Sequence, residues 1–279
     1  MTDGRHDSAG WFDGVDPGDG ASAAAAIRNG TAENPAAWPA KAVDAGFADT
    51  EAEYYERLHE ATVRATRDAV QEAETAGDKQ LIHAVRAMDD CDRVANELAE
   101  RVAEWAGSRL DDAGTGVSYA RELADSDAPD DGLRSLARRV RDLDDEAASL
   151  RSHIERTAPE IAPNLAALAG PVLAARLIGL AGGLKQLARK PAGTVQVLGA
   201  EEALFAHLRG QAPSPKHGVI VTHEAVRGTH PENRGSAARA LTGKLAIAAR
   251  IDHYSGDRRP ELEAELHERI ERIQARDVE

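Results

Sequence analysis

Hydrophobic positions along the chain change their spacing several times. From Met1 to about Thr50 they follow neither a two-residue nor a 3.6-residue period, and Gly, Ala, Asp and Pro dominate, so little regular structure is expected there. Two aromatic islands interrupt this stretch, Trp11 and Phe12 with Val15, and Trp38 with Val43 and Phe47. Either they fold against each other or they offer a partner a docking point. Glu51 to about Ala76 then reads as a helix, with Tyr54, Leu58, Ala61, Ala65 and Ala69 spaced by three and four. Gly77 breaks it, and Asp78 is placed to cap the helix that follows.

The next pattern is a heptad. Leu81, Ala84, Met88, Cys91, Ala95, Leu98, Val102 and Trp105 alternate steps of three and four. After a Gly/Asp-rich interruption from Asp111 to Gly132 the pattern returns at Leu133, Leu136, Val140, Leu143, Ala147, Leu150 and Ile154. Neither seam can bury its stripe alone, so the two predict an antiparallel coiled-coil hairpin over 77–160. Helices of roughly 25 residues reach nearly ~40 Å and present a long surface to a second copy. Leu81, Met88, Leu98, Val102, Leu136, Leu143 and Leu150 are read as a dimerisation seam. Cys91 lies on it as a small apolar side chain, and the acids Asp89, Asp90, Asp142, Asp144, Asp145 and Glu146 read as a solvated face.

Beyond Pro163 the texture becomes one of Leu, Ile and Val among Ala and Gly, the mark of a tightly packed helical unit over 161–279. A helix is expected from Glu201 through Leu204, Phe205 and Leu208 to near Gly210. A loop and a short apolar run, Val219 to Val221, follow it. A long helix runs from about Glu232 to His253, and Pro260 opens an amphipathic one carrying Leu262, Leu266, Ile270 and Ile273.

Composition agrees with a mostly α chain. Aromatics are 4% of 279 residues, so Ala, Leu, Val and Ile must supply the packing, and Ala and Leu favour helix. The single cysteine excludes an internal disulfide and suggests a reducing compartment. With no apolar run long enough to span a bilayer, a cytoplasmic protein without membrane partners is expected. The formal charge is −14, and only six of the 34 basic residues are lysine, a balance that suggests a salt-rich, halophilic cytoplasm.

Charge is unevenly placed. Residues 161–260 hold 13 Lys and Arg against 6 Asp and Glu, whereas the rest of the chain holds 21 against 42. Such a reversal is the footprint of an anion-binding face, most often one for nucleic acid; an ordinary basic domain beside acidic helices is the alternative. No strand leads into a Gly-rich turn suited to a nucleotide or to S-adenosylmethionine, and no nucleophile and base stand at supporting spacing, which argues against an enzyme. His217, His223 and His230 fit no compact ligand spacing, so no metal is expected.

The order of residues from Ala162 to Gly256, including PKHGVI and RGSAARALTGKLAIAARIDHYSG, closely resembles the Nop domain, as found in archaeal proteins related to Nop fifty-six and Nop fifty-eight. The hairpin from Asp78 to Ile161 is similar to that family's coiled coil. Before residue 75 the likeness is weak, and the region 1–76 is shorter than the family's N-terminal domain. The resemblance implies a non-catalytic scaffold of box C/D guide-RNA particles that bridges three components for RNA 2′-O-methylation. Its N-terminal region would hold fibrillarin, the coiled coil would pair two copies, and the Nop domain would grip kink-turn RNA bound by a small ribosomal-type protein. It implies no cofactor on this chain, S-adenosylmethionine belonging to the methyltransferase partner. The alternative is an assembly protein that binds RNA but recruits no methyltransferase, as in the related splicing factor.

Gly199, Ala200 and Glu201 match the start of the family's Gly-Ala-Glu-Lys element, and Lys216, His217 and Gly218 match the loop after it. With His223, Arg227, Arg234 and Arg239 they form the expected RNA and partner contact, His217 or His223 stacking on a splayed base. Each has a plainer reading: Glu201 as a helix-start carboxylate, Gly199 as a turn residue, and Arg239, Lys244 and Arg250 as stems covering an Ala-rich helix. Two departures remove positive charge, Glu202 for the family's lysine and Ala206 for its arginine.

Overall fold

The computed structural model describes residues 10–30, 36–126 and 130–275, and the regular structure among them is entirely helical, as the composition predicts. The chain forms two compact units, Met1–Ala76 and Gly77–Glu279.

The first unit contradicts the expectation of little regular structure before Thr50. Helix α1 (Gly20–Asn29) starts at Asp19, whose carboxylate accepts from the N–H of Ala21 at 2.9 Å and of Ser22 at 3.2 Å. Short α2 (Trp38–Asp44) and long α3 (Glu51–Thr75) follow. Helix α1 packs on α3, with Ala23, Ala24, Ala61 and Ala65 buried. Methyl groups give a faint periodic signal yet allow close helix approach. The aromatic islands fold against each other: Phe12 stacks on Phe47 with ring centroids 5.6 Å apart, and Trp11 Nε1 donates to the Tyr54 hydroxyl at 3.2 Å.

In the second unit α4 (Gly77–Gly107) and α6 (Asp131–Ile161) run antiparallel, Gly77 lying against Ile161, Asp92 paired with Arg151 at 3.7 Å, and Gly132 set against the Trp105 ring. The stretch between them is more than an interruption. It holds α5 (Gly116–Asp125), whose Ala120, Leu123 and Ala124 are buried against Ala99, Val102 and Ala106 of α4 and Leu133, Ala137 and Val140 of α6. This third helix widens the buried face beyond the strict heptad. Ala99 and Ala106 are buried rather than Leu98 and Trp105, which is 37% exposed.

The residues read as a dimerisation seam are occupied within one chain. Leu81, Met88 and Val102 are fully buried, and Leu98, Leu136, Leu143 and Leu150 pack half-buried against the same cores. Nor are the acids simply solvated: Asp89 binds Arg176, and Asp144 and Asp145 each accept from Arg121 at 2.7 Å. Cys91 is half-buried, and burial followed by the charges of Glu146, Asp90 and Asp92 pushes its thiol pKa up, away from reactivity.

Helices α7 (Pro163–Ala169), α8 (Pro171–Ala181), α9 (Leu184–Arg189), α10 (Ala192–Gln196), α11 (Glu201–Leu208), α12 (Glu224–Arg227), α13 (Arg234–Tyr254) and α14 (Glu261–Gln274) complete the unit, with a 3₁₀ turn at Val219–Thr222 in place of the short apolar run. Alanine-rich α13 is the axis, buried at Ala237, Ala238, Leu241, Ala248 and Ala249 and contacting α7, α9, α10 and α14. Leu81, Val85, Met88 and Ile154 of the hairpin share one core with Leu165, Leu177 and Ile178, so the boundary expected at 160/161 falls inside a single compact unit.

Two polar devices fix this unit. Asp78 does not cap its own helix; its carboxylate accepts the Leu184 N–H of α9 at 2.9 Å, while Lys79 Nζ donates to the Gly182 carbonyl after α8 at 3.2 Å. At the other end of the core, buried Asp252 accepts from the Asn164 backbone N–H (3.0 Å) and Nδ2 (2.7 Å) and from the Leu165 N–H (2.8 Å), satisfying the first turn of α7.

Candidate nucleic-acid and protein interface

The match to the Gly-Ala-Glu element lies where two segments are sewn together. Leaving α10, the chain offers the carbonyls of Gln196 and Leu198, which accept the N–H groups of Gly218 and Val219, each at 2.7 Å. Gln196 Nε2 adds a bond to the Lys216 carbonyl at 2.6 Å. The backbones approach so closely that a Cβ on Gly218 would lie 1.9 Å from the Leu198 oxygen. Gly199 then turns the chain with φ +82°, a conformation that favours glycine. Glu201 Oε1 accepts the Gly199 N–H at 2.9 Å, so its carboxylate serves the turn it follows. Gly199, Ala200, Glu201, Lys216, His217 and Gly218 are thereby brought into one junction.

From this junction α11 projects with none of its side chains buried; Phe205 is 58% and Leu208 71% exposed. Leu204 and Ala206 are half-buried on one side of the helix, which leaves Phe205 and Leu208 with no internal reason to be large and apolar. The sequence predicts both residues within a helix and assigns them no contact. Their signal was an apolar cluster that fits no core-facing stripe.

The remaining candidates fall in a second cluster, and two of them do structural work. His223 caps α12: its Nδ1 accepts the Ala225 N–H at 3.1 Å, so Nε2 carries the proton and donates to the Leu168 carbonyl at 2.9 Å. Both ring nitrogens are thus engaged within the fold, so only the face of this ring is left for a base. His217 is half-buried at the junction, where it keeps that option. Arg234 is likewise spent inward, Nε donating to the Thr229 carbonyl at 3.0 Å and a terminal nitrogen to that of Arg227 at 3.4 Å. Arg227 and Arg239 are exposed.

Burial lowers the His223 pKa below the ordinary 6.5, the bond to Leu168 opposing it only in part. The folded protein therefore takes up this proton later than the unfolded chain as pH falls. The stabilisation is present above the unfolded pKa and is lost as pH falls from there toward the lower folded pKa. Urea unfolding between about pH 7.5 and about pH 5.5 is expected to show a steeper loss in the native protein than in His223→Asn, which keeps a capping acceptor but does not titrate. Parallel pH profiles would exclude this role.

Charge is more often paired on the hairpin than beyond it, although Arg86, Arg138 and Arg156 have no carboxylate at ion-pair distance among the described residues. On the hairpin, Arg93, Arg101, Arg121, Arg134, Arg139 and Arg141 each pair with a carboxylate. Lys185, Arg209, Lys216, Arg227 and Arg239 have no carboxylate at ion-pair distance among the described residues, and Arg239 meets only Ser236 Oγ at 3.3 Å. Lys244 pairs with Glu265, and Arg250 Nε donates to the Ala188 carbonyl at 3.2 Å.

A groove of ≈ 630 Å³ opens beside the junction, lined by Gly199, Gly218, Val219 and Val221, by Arg176 and Leu180 of α8, and by Val85, Arg86 and Asp89 of α4. The hairpin residues in it were not legible as site residues, because Arg86 lies off the heptad seam like any solvated arginine.

A hairpin, an alanine-rich axial helix and a glycine-sewn junction around one core define an all-helical module. Residues 70–275 match the family model described as "Nop: snoRNA binding domain, fibrillarin". The chain belongs to the Nop family. It is 34% identical over 272 residues to an uncharacterized NOP5 family protein of Methanocaldococcus jannaschii, covering 82% of this chain and 65% of that one. It is 32% identical over 218 residues to nucleolar protein 58 of Schizosaccharomyces pombe, covering 64% and 43%. The chain thus spans less than two thirds of the length of either relative. A crystallised chain from a fibrillarin/Nop5p complex shares the fold, with a TM-score of 0.56 and 24% identity over 91% of each chain.

Proposed function

We propose that this chain is a non-catalytic scaffold of a box C/D guide-RNA ribonucleoprotein. Its second unit binds kink-turn RNA together with a ribosomal-type protein, its first unit binds fibrillarin, and two copies associate. The observation that carries the reading is the junction at Gly199 and Gly218, where α11 exposes Phe205 and Leu208 and where Arg209 and Lys216 have no carboxylate at ion-pair distance among the described residues. Cations suit phosphates, and exposed Phe205 and Leu208 suit a folded protein, so one surface reads an RNA already dressed by its protein. The family match and the fold shared with a chain from a fibrillarin complex support the same reading. Methyl transfer, with its S-adenosylmethionine, would reside on the partner.

Copurification tests the bridge. The intact chain is expected to retain fibrillarin and to bind the preassembled complex of kink-turn RNA and ribosomal-type protein. Deletion of residues 1–75 should abolish the first association and leave the second. If the intact chain retains no fibrillarin, the reading gives way to an assembly protein without a methyltransferase.

A further inference from the structure

We infer that a second groove, between α7, the start of α12 and α14, is a docking site for a basic amphipathic helix of a protein partner. That helix would set aliphatic side chains on the floor and a Lys or Arg against Glu224. The groove shares no lining residue with the one beside the junction, and the inference does not depend on the proposed function.

Three polar ties hold this groove open. His223 Nε2, donating to the Leu168 carbonyl, joins the start of α12 to the end of α7. Gln274 Nε2 donates to Thr229 Oγ1 at 3.2 Å, which fixes the last turn of α14 beside the end of α12. Near the start of α14, Glu263 pairs with Arg258, whose Nη1 donates to Asn164 Oδ1 in the first turn of α7 at 3.3 Å. A space of ≈ 680 Å³ is left between the three helices, comparable with sites that enclose a ligand. Core residues Leu168, Leu266 and Ile270 form its floor, and Ala167 and Ala264 open its sides. Both alanines are exposed, so no neighbour within the chain restricts them to a methyl group. A preformed recess of aliphatic carbon is shaped for the large side chains of another helix.

Charge selects the occupant. Residues 161–260 are rich in Lys and Arg, yet the groove is lined by Glu224 and Glu263 and, among the described residues, by no Lys or Arg. Arg258 matches Glu263, whereas Glu224 is exposed and has no Lys or Arg at ion-pair distance among the described residues. Beside them, Glu271 meets the His267 imidazole at 3.0 Å. Carboxylates on the walls repel phosphate, so charge disfavours RNA. A second copy related by a two-fold axis would set Glu224 and the Glu-rich face of α14 against themselves. The complement that remains is a helix with one aliphatic and one basic face.

The test uses the full chain and a labelled synthetic peptide of about 15 residues with Leu on one helical face and Lys on the other, with kink-turn RNA as a separate probe. The Leu/Lys peptide is expected to bind at low salt, and the same peptide with Glu in place of Lys is not. Glu224→Lys reverses the charge of the wall, and Ala264→Trp fills the recess from an exposed position. Each should weaken peptide binding at least about tenfold, with a near-native unfolding midpoint and unchanged RNA binding. Native peptide affinity in either variant would place the peptide on another acidic surface and refute the groove. Equal binding of the Leu/Glu peptide would refute the basic occupant. Weakened RNA binding in either variant would make RNA the occupant, and a smaller oligomer with Ala264→Trp would make it a second copy; both results overturn the inference. The scaffold reading, which stands on the junction and on fibrillarin retention, survives each of these failures.

Discussion

Asp252→Ala is expected to cost about 3 kcal/mol of unfolding free energy, a large share of the stability of an ordinary domain. Asp252 is 9% exposed and holds three donors, two of them at the first turn of α7. Removing the carboxylate strands those donors in the core, where each unsatisfied group costs roughly 1–3 kcal/mol before relaxation. Asn164 extends the damage, because its Oδ1 also accepts the Arg259 N–H at 2.6 Å and its Nδ2 also donates to the Asp257 carbonyl at 2.7 Å. Asp252→Asn keeps one acceptor and turns an amide toward the Leu165 N–H, so its loss should be intermediate. Urea denaturation of the two variants would decide the matter. A midpoint for Asp252→Ala within error of the native value would show that water or chain movement replaces the carboxylate.

Gly218→Ala should strongly weaken assembly while leaving most of the fold in place. The new methyl would sit 1.9 Å from the Leu198 carbonyl oxygen, which belongs to backbone and cannot swing aside. The segments must part, and the bonds from Gly218 and Val219 go with them, at about 1 kcal/mol each plus local strain. Separation displaces Gly199 and the start of α11, so affinity for the RNA and its ribosomal-type protein is expected to fall on the order of a hundredfold. The hairpin and α13 should keep their helical circular dichroism. Native affinity in this variant would mean that the junction does not position the contact surface.

Legibility in the sequence followed the size and regularity of the buried groups. Leu262, Leu266, Ile270 and Ile273 announce α14 because large aliphatic side chains repeat on one face, and all four are buried as expected. Helix α1 escaped because its buried residues are alanines within a run of alanines, so no face stood out. Helix α5 escaped for a related reason: Ala120, Leu123 and Ala124 make a short stripe among Gly and Asp, and only a neighbouring pair of helices gives it a core to complete. The junction glycines could be located by resemblance, yet the reason for Gly218 is a contact with Leu198, twenty residues earlier in the chain. Likewise, nothing local distinguishes Arg234, which satisfies carbonyls, from Arg239, which faces solvent.

The clamp formed by Asp78 and Lys79 has a consequence measured in angle. One residue holds the amide that begins α9 and its neighbour holds a carbonyl that ends α8, so the first turn of α4 is fixed to both sides of a single bend. Helix α4 is 31 residues long and extends roughly 46 Å from that point. A tilt of about 10° at its origin would carry the far end through roughly 8 Å, more than the pitch of a helix turn. Two hydrogen bonds at the pivot, together with the packing of Leu81, Val85 and Met88 beside them, therefore set the aim of the whole arm, and anything gripped at its tip inherits their tolerance.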